Sequence, residues 1–213
     1  MIFQDRIDAA TKLAEKLEWL KKEKPLILAI PRGGVIIGDV IASKLCTKLD
    51  IVVSRKVGAP YTEELAIGAV MHDGSFFPNE DIINTLSVSQ NYIDTEISAQ
   101  MKEIERRLKK FRGNTQYDIE GKTVVLVDDG VATGATMFVA GLWVKRQKPK
   151  KLIIALPVGP KETMNKLRTI ADQIVVLHCP FIFNAVAEFY KNFDQVDDST
   201  INEIMKKYGH NLP

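Results

Sequence analysis

The sequence has few cysteines and no long apolar run. Cys46 and Cys179 lie far apart and give no metal-ligand spacing, so we expect reduced, buried thiols. No uninterrupted apolar stretch approaches the ~20 residues that a membrane-spanning helix needs. Residues 1–8 carry charged side chains where a signal peptide would need its apolar core. These absences predict a cytoplasmic protein that has no membrane partner.

A large excess of charge of one sign is also absent. The 29 basic and 27 acidic residues give a net charge of +2, which does not suggest a protein that binds nucleic acid. Six basic residues fall on one predicted helix, and we interpret them as a solvated helix face. They are Lys102, Arg106, Arg107, Lys109, Lys110 and Arg112. No zinc-finger spacing or aromatic–basic RNA motif is present, so no nucleic-acid partner is expected.

Strand and helix patterns alternate along the chain, and this alternation indicates the fold class. Apolar residues follow a helical pattern in segments 3–22, 35–45, 89–112, 133–146 and 161–170. Short apolar runs predict strands at 26–30, 50–54, 123–127, 152–157 and 174–177. The pattern predicts an α/β fold with a mostly parallel sheet flanked by helices. The length, with no internal repeat and no flexible linker, predicts a single domain over residues 1–213.

One segment does not fit the alternating pattern. Glycine and proline punctuate residues 55–85, and residues 65–71 alternate enough to form one arm of a hairpin. The hairpin would turn at residues 72–75, which places His72 on the surface. We therefore predict a small hood or flap here, in a position to cover a ligand site.

The segment 124–136 carries the strongest functional signal. Its first four residues form an apolar, β-branched run that is typical of a buried strand, and Asp128 and Asp129 follow. Ligands of open α/β sheets bind at this end of the strands. Gly130–Thr136 is a loop of small residues and hydroxyls that leads into a helix, an arrangement that suits an anion such as phosphate. Carboxylates beside a phosphate cradle suit a sugar phosphate with vicinal hydroxyls, or a bound Mg²⁺.

This segment resembles the phosphoribosyl-diphosphate (PRPP) binding motif of the type I phosphoribosyltransferases. Over residues 1–200 the chain resembles an uncharacterised bacterial and archaeal group of that family. The wider resemblance rests on Ile30-Pro-Arg-Gly-Gly34, Arg55-Lys-Val-Gly-Ala-Pro60, Glu64-Leu-Ala-Ile-Gly-Ala-Val70 and Phe189-Tyr-x-x-Phe193. It implies the type I phosphoribosyltransferase fold with a hood, and an enzyme of nucleotide metabolism that uses PRPP.

The resemblance also implies roles for residues of the motif. Asp128 and Asp129 would contact the ribose hydroxyls directly or through Mg²⁺, which makes them the metal ligands. The loop would hold the 5-phosphate, and Arg32, Gly33 and Gly34 would bind the diphosphate. The residues assigned to PRPP are Asp128, Asp129, Gly130, Val131, Ala132, Thr133, Gly134, Ala135 and Thr136.

Catalytic residues and acceptor contacts are less clearly marked. Arg55 and Lys56 supply two cations near the predicted diphosphate site. Glu63 or Glu64 is a candidate general base, although two adjacent glutamates also suit a solvated surface. Phe181 and Phe183 are candidates for stacking on the acceptor. Phenylalanines after a strand also suit a core.

The sequence departs from the 6-oxopurine enzymes of this family. Ala132 stands where those enzymes carry an aspartate, and residues 156–158 occupy the region of a lysine that they also use. We therefore expect Mg²⁺-dependent transfer of ribose 5-phosphate from PRPP to another nitrogenous, nucleobase-like acceptor, with release of pyrophosphate. A PRPP-binding regulator without turnover is the main alternative, and hydrolysis or transfer to a non-base amine is another. The helix at 89–112 would suit a homodimer interface or would pack on its own core.

Overall fold

A parallel sheet forms the centre of the molecule. The computed structural model describes residues 1–210 and Leu212, including the backbone but not the side chains of Glu63 and Glu64. The five strands of the sheet are β1 Leu26–Ala29, β2 Leu49–Ile51, β6 Thr123–Val127, β7 Lys151–Val158 and β8 Gln173–His178. They follow the order β2-β1-β6-β7-β8, and each pairs with its neighbours in parallel. The sheet confirms the predicted α/β class.

Helices cover both faces of this sheet. The helices of the chain are α1 Arg6–Lys16, α2 Gly33–Leu45, α3 Glu80–Thr85, α4 Gln90–Phe111, α5 Ala135–Arg146, α6 Lys161–Leu167 and α7 Asp198–Lys207. Of these, α3 and α4 pack on the segment 54–71, outside the parallel sheet. Successive residues of β6 point to opposite faces, so Val125 packs in a core with α1 and α2 while Leu126 packs in a core with α5 and α6. Burial on both faces explains why this strand reads as a continuous apolar run.

Three antiparallel strands form the hood. They are β3 Ser54–Ala59, β4 Thr62–Met71 and β5 Phe76–Pro78, and the middle strand β4 pairs with both others. The turn at residues 72–75 joins β4 to β5, as predicted. The sequence pattern did not predict β3, because Gly58 lies within it, Pro60 follows directly after it, and its pairing with β4 shifts register at Gly58. The hood packs against α4 and α5.

The structure corrects three smaller predictions. The first helix ends at Lys16, and a 3₁₀ segment follows it. Cys46 and Cys179 are exposed, not buried. Arg112 does not belong to a solvated face, because it is buried and donates two hydrogen bonds to Asp50. Among the described residues, no helix combines the length and apolarity needed to cross a bilayer.

His72 is likewise not a surface side chain. Its ring is half-buried and packs against the rings of Tyr117 and Trp143, at centroid distances of 4.6 and 4.7 Å, and those two rings also contact each other. Trp143 also donates a hydrogen bond to Asp73 in the same turn. The turn therefore anchors the hood to α5, a long-range contact that local turn chemistry does not predict.

The two ends of the chain meet beside the sheet. Phe3 donates a backbone hydrogen bond to Phe189 and accepts one from Lys191. The rings of Phe3 and Tyr190 lie 5.4 Å apart. This pairing holds the start of α1 against the segment that follows β8, so side chains from both ends of the chain reach the carboxyl edge of the sheet.

Candidate functional site

Two predicted loops meet at the carboxyl ends of neighbouring strands. Asp128 and Asp129 follow β6, and the segment 30–34 follows β1, which pairs with β6. A Cβ atom on Gly33 would lie 1.7 Å from Oδ2 of Asp129, and one on Gly34 would lie 3.0 Å from the Cα atom of Asp128. Only glycine allows the chain to come this close to the acidic pair.

Asp128 and Asp129 are half-buried, and their surroundings disfavour the charged form. Loss of hydration and the neighbouring Asp129 raise the pKa of Asp128 well above its usual range. Burial also raises the pKa of Asp129, although Arg6 opposes this effect by donating a hydrogen bond from Nε to Oδ2 at 2.7 Å. Asp128 Oδ1 accepts a hydrogen bond from the Asp129 amide at 2.8 Å. Without a ligand, both carboxylates are costly to ionise. The pair therefore favours a ligand that brings positive charge or hydroxyl donors.

The donor set suits Mg²⁺ better than a metal that the protein encloses completely. Among the described residues, no group of three or more histidine, cysteine, aspartate or glutamate side chains converges on one point. Asp128 and Asp129 offer hard oxygen atoms from only two side chains. Mg²⁺ commonly accepts one or two carboxylates and takes its other ligands from water and substrate phosphates.

The loop after the acidic pair encloses a small concave space. Asp128 and residues 130–137 line this cavity of about 140 Å³. Gly134 has φ +70° and precedes α5, and a Cβ atom there would lie 2.5 Å from a methyl group of Thr163. Thr163 also donates a hydrogen bond to the carbonyl oxygen of Ala132 at 2.6 Å. Thr133 and Thr136 remain exposed. The space has the backbone and hydroxyl chemistry of a phosphate cradle.

Arg32 precedes the glycines of the loop and is tied to the C-terminal helix. Its Nη1 atom donates to the carbonyl oxygen of Val196 at 3.1 Å and lies 2.9 Å from Oδ1 of Asp198. Lys110 pairs with the other carboxylate oxygen of Asp198. The peptide bond between Pro31 and Arg32 is cis. The guanidinium thus has a carboxylate partner where the sequence predicts a diphosphate.

The predicted catalytic residues lie in the hood. Arg55 and Lys56 belong to β3, and Arg55 donates a hydrogen bond to Gln100 of α4 at 2.9 Å. Lys56 lines a cavity of about 540 Å³ between the hood and α5, which also includes Ala135 and Thr136. The backbone of Glu63 and Glu64 lies in β4, but their side chains fall outside the described part of the structure. Their predicted role as general base stays a prediction.

The two candidate stacking residues have different surroundings. Phe181 is fully exposed, so the alternative that it belongs to a core is wrong. Phe183 is half-buried and stacks on Phe189, with ring centroids 5.3 Å apart and planes inclined by 22°. Phe183 already has an aromatic partner, whereas Phe181 presents an exposed ring after β8.

Three residues at the site have no counterpart among the sequence predictions of function. Arg6 contacts Asp129, and its guanidinium lies 3.8 Å from the ring centroid of Phe193. Tyr190 donates a hydrogen bond to the carbonyl oxygen of Asp129 at 2.5 Å. Tyr190 and Phe193 belong to one of the motifs that carried the family resemblance, so the sequence did mark them. Arg6 lies in an ordinary amphipathic helix and carries no local signal.

Comparison with known proteins identifies the family. The model of the phosphoribosyl transferase domain matches residues 2–190. Two strains of Mycobacterium tuberculosis have a protein named "Putative phosphoribosyl transferase" that is 35% identical over 201 residues, covering 94% of this chain and 45% of that protein. The chain therefore spans about half the length of these curated relatives.

A solved structure matches over almost the whole chain. The crystal structure of TT1426 from Thermus thermophilus is 36% identical, with a TM-score of 0.83, and the match covers 98% of this chain and 99% of that one. The domain match, the relatives and the shared fold point to the same family as the acidic pair and the glycine loop at the edge of the sheet. The chain belongs to the phosphoribosyl transferase family.

Proposed function

We propose that the protein is an enzyme that transfers ribose 5-phosphate from PRPP to a nitrogenous, nucleobase-like acceptor and releases pyrophosphate. The observation that carries this proposal is the close approach of Gly33 to Asp129, because it joins an acidic pair and a glycine loop in one site. The cradle at residues 130–137 adjoins the same aspartates. A ligand with a diphosphate, vicinal hydroxyls and a terminal phosphate matches these three parts in order.

Each part has a distinct role in the proposed reaction. Residues 131–136 hold the 5-phosphate through backbone N–H groups and the two threonine hydroxyls. Asp128 and Asp129 orient the ribose through its hydroxyls, which fixes C1 relative to the acceptor. Gly33 and Gly34 bring backbone amides close to the diphosphate, and Arg32 supplies positive charge after it leaves Asp198.

The bond changes are those of a substitution at C1 of the ribose. The acceptor nitrogen forms a bond to C1 while the bond from C1 to the diphosphate oxygen breaks, and that oxygen keeps the electron pair. The acceptor loses a proton to a base, for which Glu63 and Glu64 are the candidates. Catalysis consists mainly of positioning and of stabilising the departing negative charge.

Asp128 and Asp129 are the side chains that we propose for holding Mg²⁺. When bound there, the ion would neutralise phosphate charge and lower the cost of keeping two adjacent carboxylates ionised. Among the described residues no further histidine, cysteine, aspartate or glutamate completes a metal cluster with this pair, so substrate and water would supply much of the coordination sphere.

Binding measurements test the proposal. Titration calorimetry with PRPP is expected to give 1:1 binding that strengthens when Mg²⁺ is present, whereas ribose 5-phosphate without the diphosphate binds more weakly. Binding of PRPP without turnover across a panel of bases and amines would instead favour a regulatory protein. Absence of PRPP binding in the presence of Mg²⁺ would contradict the proposal itself.

A further inference from the structure

The side chain of Arg6 occupies a junction between the two halves of the candidate site. Its Nε atom contacts Asp129, and it lies 2.9 Å from the position that a Cβ atom would take on Gly33. One guanidinium therefore contacts the carboxylate proposed for the ribose and lies beside the glycine loop proposed for the diphosphate. In PRPP these two parts of the ligand meet at C1 and its bond to oxygen.

The guanidinium is held rigidly by groups from distant parts of the chain. Nε donates to Asp129 and Nη1 donates to the carbonyl oxygen of Asp194, each at 2.7 Å. Phe193 covers one face of the group at 3.8 Å. Only 12% of the side chain is exposed. A planar fork fixed in this way loses little freedom when it binds an anion.

One edge of the fork remains available. The contacts above use Nε and Nη1, and no described residue accepts a hydrogen bond from Nη2. Nη2 is not one of the fully buried side-chain atoms that lack a hydrogen-bond partner in the described structure. Because it has no such partner, part of its surface must be in contact with solvent. A rigid cation with a free, accessible donor beside a glycine loop is suited to a phosphate oxygen.

The local charge balance points the same way. Asp128 and Asp129 place two acidic groups next to each other, and among the described residues Arg6 is the cation that forms an ion pair with Asp129. A diphosphate that arrives next to these carboxylates would meet repulsion unless a positive group lies between them. Arg6 would stand at that position, whereas Arg32 is paired with Asp198.

We propose that Arg6 is a substrate-binding residue that contacts the diphosphate at its ribose end and stabilises the negative charge that develops there as pyrophosphate leaves. Its bond to Asp129 persists and keeps the ribose carboxylate in place. This inference rests on the proposed function. It assigns the leaving group to a residue of the N-terminal helix, outside every motif that the sequence marks.

Ligand affinities of Arg6 variants test the assignment. Calorimetry with PRPP, pyrophosphate and ribose 5-phosphate, each with Mg²⁺, separates the two ends of the ligand. Arg6→Ala is expected to weaken pyrophosphate and PRPP by roughly ten- to hundredfold, the value of a charge-assisted hydrogen bond. Ribose 5-phosphate is expected to weaken by a clearly smaller factor. Arg6→Lys keeps the charge without the planar fork, so its losses should fall between those of Arg6→Ala and the wild type.

Two controls make the outcome decisive. Lys12→Ala removes a cation from the same helix, where it pairs with Asp8, and should leave all three affinities unchanged. Arg6→Lys also decides the test if Arg6→Ala does not fold. The role of Arg6 would be overturned if an Arg6 variant bound pyrophosphate as tightly as the wild type does, or if its affinities for pyrophosphate and ribose 5-phosphate fell by equal factors. In either case, PRPP binding by the wild type would still support the proposed function. A wild-type protein that binds no PRPP would overturn both.

Discussion

Oδ2 of Asp129 lies 1.7 Å from the point where a Cβ atom would stand on Gly33. The glycine loop and the acidic pair are therefore in direct contact, although 96 positions separate them in the sequence (129 − 33). A methyl group at residue 33 has no room unless Asp129 or the loop moves. This contact makes the geometry of one half-site depend on the other.

Gly33→Ala is accordingly expected to weaken PRPP binding by at least tenfold and to lower the melting temperature, because the new Cβ displaces Asp129 from Arg6. Calorimetry and thermal melts measure the two effects. Gly74→Ala is the control, since a Cβ there meets nothing within 4 Å. Any change in its melting temperature would come only from the positive φ at residue 74, which disfavours alanine. A Gly33→Ala protein with wild-type affinity would mean that the loop does not contribute to the site.

The double variant Asp128→Asn with Asp129→Asn is expected to abolish PRPP binding while the circular dichroism spectrum stays native. Both side chains keep their size but lose the charge that, in the proposed site, would attract Mg²⁺ and orient the ribose. Asp118→Asn, at a surface ion pair with Lys122, should bind PRPP normally. Unchanged affinity in the double variant would remove the basis for placing the ribose here.

Asp128→Asn alone is expected to stabilise the fold near neutral pH. The folded chain holds the Asp128 proton more tightly than the unfolded chain, because burial raises its pKa above the usual 3.8. The stability of the wild type therefore falls as pH rises from the unfolded pKa through the folded pKa. The advantage of Asp128→Asn in melting temperature should be small at acid pH, grow across that interval, and then stay constant. Each kcal/mol corresponds to about 2–4 °C for a chain of this size.

The control for this pH series has the opposite sign. Lys122 lowers the pKa of Asp118 through a side-chain hydrogen bond, so the contribution of that carboxylate is present above the unfolded pKa and is lost as pH falls. Asp118→Asn should therefore give no growing advantage with rising pH. A melting temperature difference for Asp128→Asn that is independent of pH would contradict the account of a buried, electrostatically costly carboxylate.

Asp198→Asn is expected to tighten pyrophosphate binding by up to about fivefold, since a part-exposed ion pair contributes about 1 kcal/mol or less. The substitution frees Arg32 from the carboxylate that holds it in the ligand-free chain. Lys110→Met removes the other partner of Asp198 and should not tighten binding. Weaker pyrophosphate binding by Asp198→Asn would show that the ion pair orients Arg32 for the ligand and does not compete with it.

The two phenylalanines after β8 give a test of acceptor stacking. Phe181→Ala is expected to raise the KM for the acceptor without changing PRPP affinity or the melting temperature, because its ring is exposed. Phe183→Ala is expected to lower the melting temperature, because it removes the stack on Phe189. An unchanged acceptor KM for Phe181→Ala would direct attention to the cavity lined by Lys56 between the hood and α5.

The sequence predicted those parts of the fold that local patterns determine. The strand at 123–127 and the long helix ending near Gly113 are visible because burial and capping leave clear signals at these positions. The first hood strand, β3, was missed because glycine and proline disguise it, and because its pairing depends on β4. Tertiary contacts also override local signals at His72, which turn chemistry alone would expose.

The same difference between local patterns and long-range contacts applies to the candidate site. Its acidic pair and glycine loops stand out because they need particular residues at fixed spacing. Arg6 was not predicted, since nothing in an amphipathic helix shows that one arginine reaches across the fold to Asp129. Likewise, the pairing of Arg32 with Asp198 depends on how the C-terminal helix folds back. Such contacts join distant positions and become visible only in three dimensions.

Pyrophosphate release from PRPP tests the central claim most directly. The wild type is assayed with Mg²⁺ and a panel of nucleobases, other heterocycles and amines, beside the Asp128→Asn, Asp129→Asn double variant. The account predicts release that depends on one class of nitrogenous acceptor, is stoichiometric with a new ribosyl product, and disappears in the double variant. Equal release by the wild type and the double variant, or no release from PRPP that the wild type binds, would contradict the proposed transferase.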